Sequence, residues 1–243
     1  MRTQIIRTVV AAVNGRVPVF IGTAANSLPD TVENSIEAQD LGADLLIVCS
    51  PPVGNANADD LYTYYEKVAA SVSIPIIVQD TGASYAVYSP EFLIRLYEGI
   101  ENIKYVKAEG GNWLNKMHDL MKIVPDGLQV IGGAAGMKML QMLRLGVTAF
   151  MTGTEAQEIH HAVVQAYLSG DEDKAVHLYC TTLLPYLELY TTSNHTSLKH
   201  MLVRRGIFKS STLIFPGLEH HLKSDFALSE LDWMLDRIDK SRI

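Results

Sequence analysis

Lys107 is the residue of this chain whose setting is least ordinary for its type. It stands in the segment Ile103-Lys104-Tyr105-Val106-Lys107-Ala108-Glu109, a short, mostly apolar run that reads as a strand. Side chains alternate between the two faces of a strand. Ile103, Tyr105, Lys107 and Glu109 therefore share one face, and Lys104, Val106 and Ala108 share the other. An amine inside a packed interior is costly as a cation, so burial favours the neutral form. A neutral amine attacks a carbonyl carbon and forms an imine. The other reading is a solvated lysine near a strand end, and this segment alone leaves both open.

Further candidates follow from where chemistry sits in parallel α/β folds, at the C-terminal ends of the strands. There stand Thr23, Asn26, Ser50, Gln79, Asp80, Lys107, Glu109, Thr152 and Thr154. Glu109 faces the same way as Lys107 if the strand persists that far. It is then either a proton-transfer group or the partner that positions the amine. Asp80 is either an acid/base group or a cap on the loop that follows it. Thr23, Thr152 and Thr154 offer hydroxyls to a carboxylate or a sugar, though threonine is also ordinary at a strand end.

A metal-based alternative rests on Glu158 and His161, three apart on a helix, with His160 adjacent. A di-metal centre would need a second Glu-x-x-His pair on a facing helix. None occurs, HExxH is absent, and His220-His221 fall in a loop. The expectation is a solvated helix face and no metal. Tyr62/Tyr65 and Tyr186/Tyr190 have helical spacing and are expected to pack.

The elements that must position these residues are read from hydrophobic period. Ile5, Ile6, Val9, Val10 and Val13 share a helical face, which Asn14-Gly15 ends. Strands are expected at 17–21, 44–49, 74–79, 102–109, 128–131 and 147–151. Helices are expected between them at about 30–41, 59–72, 89–97, 113–123 and 136–145. After Glu155 the pattern is helical, at 160–168, 171–190, 197–205 and 228–238. Strands alternating with helices, and nearly continuous apolar strands, imply a parallel sheet. The turn after the first strand reads Gly22-Thr23-Ala24-Ala25-Asn26-Ser27, which is not GxGxxG, and no GxxxxGK[ST] occurs. Both nucleotide-binding readings lose their main support.

The bulk properties are compatible with this. The chain has 243 residues, 48% hydrophobic, with formal net charge −7, so no basic patch argues for nucleic acid. Two cysteines, Cys49 and Cys180, make no disulfide framework, and Cys49 reads as a small buried hydrophobe. Met1-Arg2-Thr3-Gln4 does not open a signal peptide, and no apolar run is long enough to span a bilayer. A cytoplasmic protein is the expectation.

Several segments, in order, resemble the dihydrodipicolinate synthase/N-acetylneuraminate lyase superfamily of class I aldolases. Tyr105-Val106-Lys107-Ala108-Glu109 is similar to its lysine strand. Gly15-Arg16-Val17-Pro18-Val19 with Gly22 to Asn26 resembles its third strand and loop. Ser50-Pro51-Pro52 with Leu61 to Tyr65, then Ser73 to Ile77, resemble the fourth loop and helix and the fifth strand. Leu184-Pro185 and Ser193-Asn194 resemble its C-terminal helices. The resemblance implies a TIM (β/α)8-type barrel, here with about six βα units. Residues 1–154 are then a partial barrel, and 155–243 its last helix and a C-terminal helical extension packed as one domain.

The resemblance also implies a lyase in which Lys107 forms a Schiff base with a 2-oxo acid, without cofactor, in a dimer or tetramer. Gln79 and Glu109 stand beside it as catalytic candidates, and Thr23, Asn26, Ser50, Asp80, Thr152 and Thr154 as substrate-binding ones. In the synthases a tyrosine that relays protons ends the fifth strand; here Val78-Gln79-Asp80 puts Gln79 there. Val53 stands where the synthases carry the tyrosine offered to a neighbouring subunit. The VQD form resembles the branch that dehydrates or cleaves 2-keto-3-deoxy sugar acids. The alternatives are pyruvate–aldehyde condensation, and a truncated family member that binds without catalysis. Six strands against the barrel's eight lead to the expectation of a roughly 300-residue parent, or of association that covers the gap.

Overall fold

Asn14 takes the left-handed conformation at φ 48° and closes α1 (Arg2–Val13) by donating its N–H to Val10 O. This is the stop that Asn-Gly signals, because both residues tolerate positive φ. The computed structural model describes residues 1–51, 56–80, 88–109, 113–193, 195–213 and 225–240. Val53, Asn194, His220 and His221, singled out above, lie outside the described residues.

Two compact units make up the chain, Met1–Gly132 and Gly133–Ile243. In the first, β1 (Phe20–Gly22), β2 (Leu45–Val48), β3 (Ile76–Asp80), β4 (Ile103–Ala108) and β5 (Gln129–Gly132) pair in chain order, all parallel. Helices α2 (Leu28–Asp40), α3 (Ala58–Ala69), α4 (Pro90–Gly99) and α5 (Trp113–Ile123) alternate with them. Short polar side chains start three of these helices. Ser27 Oγ accepts from Asp30 N, Asn57 and Asp60 form a reciprocal capping box, and Ser89 Oγ accepts from Phe92 N.

Strands β2 to β4 carry the core: Leu46, Val48, Ile76, Val78, Ile103 and Val106 are fully buried. Each such side chain removed from water stabilises the fold by roughly 1.5–3 kcal/mol. The first strand is shorter than its apolar run 17–21 suggested. Val19 is spent on the connection instead: its N–H meets the Asp44 carboxylate at 2.7 Å, and its carbonyl accepts from Asp44 N and Leu45 N.

The second unit contains β6 (Ala149–Phe150) and helices α6 (Met139–Arg144), α7 (Gln157–Leu168), α8 (Glu172–Leu178), α9 (Leu184–Ser193), α10 (His195–Arg204) and α11 (Asp225–Lys240). Its core gathers Met139, Ile159, Val163, Leu183, Tyr186, Met234 and Ile238. A π turn at Tyr179–Leu183 joins α8 to α9, so the segment expected as one helix over 171–190 runs on through a bulge.

The helix expected over 136–145 is broken. Ala134, Ala135, Gly136 and Lys138 all have positive φ, and α-helix begins only at Met139. The buried imidazole of His160 holds the break open. Its ring nitrogens lie 2.7 Å from Ala156 O and 2.9 Å from Ala135 O. A Cβ on Gly136 would stand 2.9 Å from His160 Cδ2, so glycine is required there for space as well as for its φ of 88°. Among the described residues no helix is long and apolar enough to cross a membrane.

Candidate active site

Strands β3 and β4 bring three of the candidate side chains together. Their register pairs Gln79 with Lys107 and Asp80 with Ala108. Paired residues of parallel strands point the same way, so Gln79 and Lys107 emerge side by side. The ladder runs one residue past β4, since Glu109 N donates to Asp80 O at 2.8 Å. Glu109 thereby keeps to the Lys107 face. Its Oε2 accepts from Lys107 Nζ at 2.8 Å and from Gln79 Nε2 at 3.0 Å. The side chains of Lys107 and Glu109 are 10% and 16% exposed. Lys104, on the other face, is exposed and leans over the Tyr97 ring. Alternation along one strand thus separates an ordinary surface lysine from a buried one.

Asp80 goes elsewhere. Following Val78 rather than Gln79, its carboxylate is 3% exposed and meets the ammonium of Lys116 on α5. The structure places it against a helix, not beside Lys107. Close by in the same layer, Tyr88 OH accepts from Ser50 N and bonds Tyr65 OH at 3.0 Å, while Tyr65 donates to Val48 O. Burial pushes the Tyr88 and Tyr65 phenols up, the latter well above its usual value. Tyr64 donates to Cys49 O and is pushed up to about 12, again chiefly by burial. Burial also raises the Cys49 thiol. These phenols are therefore neutral hydrogen-bonding groups at physiological pH.

Thr23 is 1% exposed and its hydroxyl accepts from Ser35 Oγ at 2.9 Å, which ties β1 to α2. Asn26 is exposed and lines a cavity of about 500 Å³ together with Leu28, Pro51, Leu61 and Tyr64. In the second unit, Thr152 donates to Gln157 Oε1 at 3.2 Å, and Thr154 is exposed. Glu158 is taken by Arg205, whose Nη1 reaches both carboxylate oxygens at 2.8 Å, and His161 is exposed. Among the described residues no group of three or more His, Cys, Asp or Glu is placed to hold a metal ion. Sequence reading passed over Lys116 and Tyr88. Lys116 looked like any helical lysine, and only its i−3 neighbour Trp113 and its place in the first turn of α5 marked it as near a strand end.

The profile of the dihydrodipicolinate synthetase family matches residues 1–230. The chain belongs to that family. It is 30% identical over 214 residues to 4-hydroxy-tetrahydrodipicolinate synthase 1 of Halalkalibacterium halodurans, covering 85% of this chain and 70% of that one. It is 31% identical over 183 residues to L-2-keto-3-deoxyarabonate dehydratase of Azospirillum brasilense, covering 73% of this chain and 59% of the relative. The chain thus spans about seven tenths of the first relative's length and just under three fifths of the second's.

Among solved structures, YagE superposes with TM-score 0.85 at 23% identity, covering 98% of this chain and 80% of that one. YagE is a prophage protein of the dihydrodipicolinic acid synthase family from E. coli K12, solved in complex with pyruvate. The dihydrodipicolinate synthase of Thermotoga maritima gives 0.85 at 19% identity, covering 98% and 81%. The fold is that of an incomplete (β/α)8-type barrel with C-terminal helices, as the family resemblance implied.

Proposed function

We propose that this chain is a Schiff-base-forming lyase acting on a 2-oxo acid, most naturally a 2-keto-3-deoxy sugar acid, with Lys107 as the amine. The observation that carries the reading is the buried lysine on β4, held at 2.8 Å by Glu109, which Gln79 holds in turn. The Lys107 Nζ lone pair attacks the C2 carbonyl carbon and the carbonyl oxygen takes a proton, giving a carbinolamine. Loss of water leaves a protonated imine, which draws electrons from C3. A base removes the C3 proton and an enamine forms. The enamine expels the C4 hydroxyl, which takes up a proton and leaves as water. In the aldolase direction the protonated imine keeps its C3 proton. Loss of the C4 hydroxyl proton then breaks the C3–C4 bond, releasing an aldehyde and leaving the enamine on Lys107. Glu109 is the group placed to carry protons at the amine. Thr23, Asn26, Ser50, Thr152 and Thr154 are the proposed substrate contacts, and the direction of Asp80 toward α5 favours a supporting role for it.

Borohydride reduction in the presence of pyruvate or a keto-deoxy acid tests this. A covalent adduct of the reduced-imine mass on Lys107, abolished in Lys107→Ala, is the expected result. No adduct under conditions that trap a known aldolase, or an adduct unchanged in the variant, sinks the mechanism.

Condensation of pyruvate with aspartate semialdehyde is the second reading, supported by the H. halodurans relative's name. Gln79 speaks against it. An amide donates and accepts hydrogen bonds but does not titrate usefully, so it cannot replace a phenol in a proton relay.

A further inference from the structure

A line of contacts leads from Lys107 to the outer helix layer. Glu109 holds Lys107 and Gln79 through its side chain, and its own N–H donates to the backbone carbonyl of Asp80. The side chain of Asp80 leaves the sheet on the other face and meets Lys116 in the first turn of α5. That carboxylate is nearly dry, and a buried carboxylate fixes its position only while its charge is matched. Its negative charge also reaches Tyr88, whose phenol accepts the Ser50 N–H at the end of β2. Asp80 is thus joined by its backbone to the Lys107 cluster and by its carboxylate to α5.

We infer that Lys116 is a positioning residue for the Lys107 amine, acting through Asp80 and Glu109. Without its ammonium the Asp80 carboxylate loses its ion-pair partner on α5, and the last residue of β3 shifts with it. Gln79 precedes that residue and Glu109 is bonded to it, so both lose their fixed relation to Lys107. Nothing in this requires Lys116 to touch substrate. The inference rests on the Schiff-base reading, but it makes a claim about geometry that can be read separately.

The test compares wild type with Lys116→Met, which keeps the aliphatic stem, and Lys116→Arg, which keeps the charge. Two rates are measured on folded protein. The first is borohydride-trapped imine formation with saturating pyruvate. The second is reductive methylation of Lys107 by formaldehyde and cyanoborohydride, which needs a free amine but no 2-oxo acid site. Lys116→Met is expected to slow the first by about 10²-fold, the usual cost of a misplacement near 1 Å. It is expected to quicken the second several-fold, because an amine released from Glu109 is freer to react. Lys116→Arg is expected to recover most of both.

A Lys116→Met variant that melts earlier yet shows both rates unchanged overturns the inference and leaves the pair a structural clamp. If wild type traps no pyruvate at all, the Schiff-base reading fails. Methylation alone then decides: a rate raised in Lys116→Met and restored in Lys116→Arg keeps the positioning role, and an unchanged rate ends it.

Discussion

At the scale of single residues the Lys107–Glu109 pair is a costly feature of the first unit. Each charge gives up most of its hydration, and the remaining exposure of 10% and 16% recovers little of it. The pair persists because Glu109 gathers two donors at one oxygen, Lys107 Nζ and Gln79 Nε2. Removing one partner strands the other. Glu109→Ala is therefore expected to lower stability by about 3 kcal/mol, the lower end of the usual cost of breaking a buried pair. Urea unfolding checks this. The double variant Lys107→Met/Glu109→Leu, which removes both charges, is expected to regain most of that loss while losing all imine trapping. A Glu109→Ala protein as stable as wild type would mean that water reaches Lys107 freely. Gln79 carries a prediction of its own. Lacking a titrating phenol, the wild type is expected to condense pyruvate with aspartate semialdehyde about 10²–10⁴-fold more slowly than an enzyme equipped with a proton relay. A rate equal to an authentic synthase would overturn the branch assignment.

At the scale of elements, His160 on α7 locks the loop ahead of α6. A neutral imidazole has one N–H, yet both ring nitrogens face carbonyls, Ala156 O and Ala135 O. Burial lowers the pKa of His160 from its ordinary 6.5, outweighing the two carbonyls and the charges of Glu155 and Glu158, which favour the imidazolium. The folded state therefore resists the proton that the unfolded chain accepts. Stability from this group is fully present above about pH 6.5 and is lost as pH falls from there through the lower folded value. Unfolding free energies measured between about pH 7.5 and 5 are expected to decline more steeply in wild type than in His160→Gln. Equal slopes would show that the ring protonates in place. A second prediction lies in the connection after β6. Gly153 has an ordinary φ of −72°, but a Cβ there would come within 2.5 Å of both carboxylate oxygens of Glu155. Glu155 is fully buried and bonded to Tyr186, so it has no open direction to yield. Gly153→Ala is expected to cost about 1–3 kcal/mol, read as a lower midpoint in thermal unfolding. Wild-type stability would mean that the carboxylate swings aside.

At the scale of the molecule, the first strand decides how the chain meets its surroundings. Among the described residues β1 pairs with β2 alone, so its other edge presents unpaired backbone groups. Phe20 and Val17 beside it are 43% and 59% exposed, and Ile5 and Val9 on α1 are 57% and 39% exposed. Unpaired edges with apolar neighbours associate. The chain is expected to sediment as a dimer or larger species, and Phe20→Lys with Val17→Lys is expected to shift it toward monomer with the Lys107 adduct retained. A wild type that stays monomeric across a hundredfold range of concentration would sink this expectation.

The order of strands and helices, the parallel sheet and the family were legible in the sequence. Period, helix caps and the spacing of apolar runs are local properties, and they are written residue by residue. The helices expected from about 30, 59 and 89 start at Leu28, Ala58 and Pro90. Alternation in Ile103 to Glu109 likewise separated Lys107 from Lys104 before any contact was known. The partner of Asp80 was not legible. A carboxylate at a strand end takes whichever donor the register and the following helix bring near, and Lys116 lies 36 positions away. The break at 134–138 was hidden for the same reason. Its apolar pattern is helical, but His160, 25 residues on, bonds to Ala135 and overrides the local preference. Sequence fixes what each segment prefers alone. Which buried polar groups meet is decided only when the segments pack, because each must then find a partner among those that packing brings within reach.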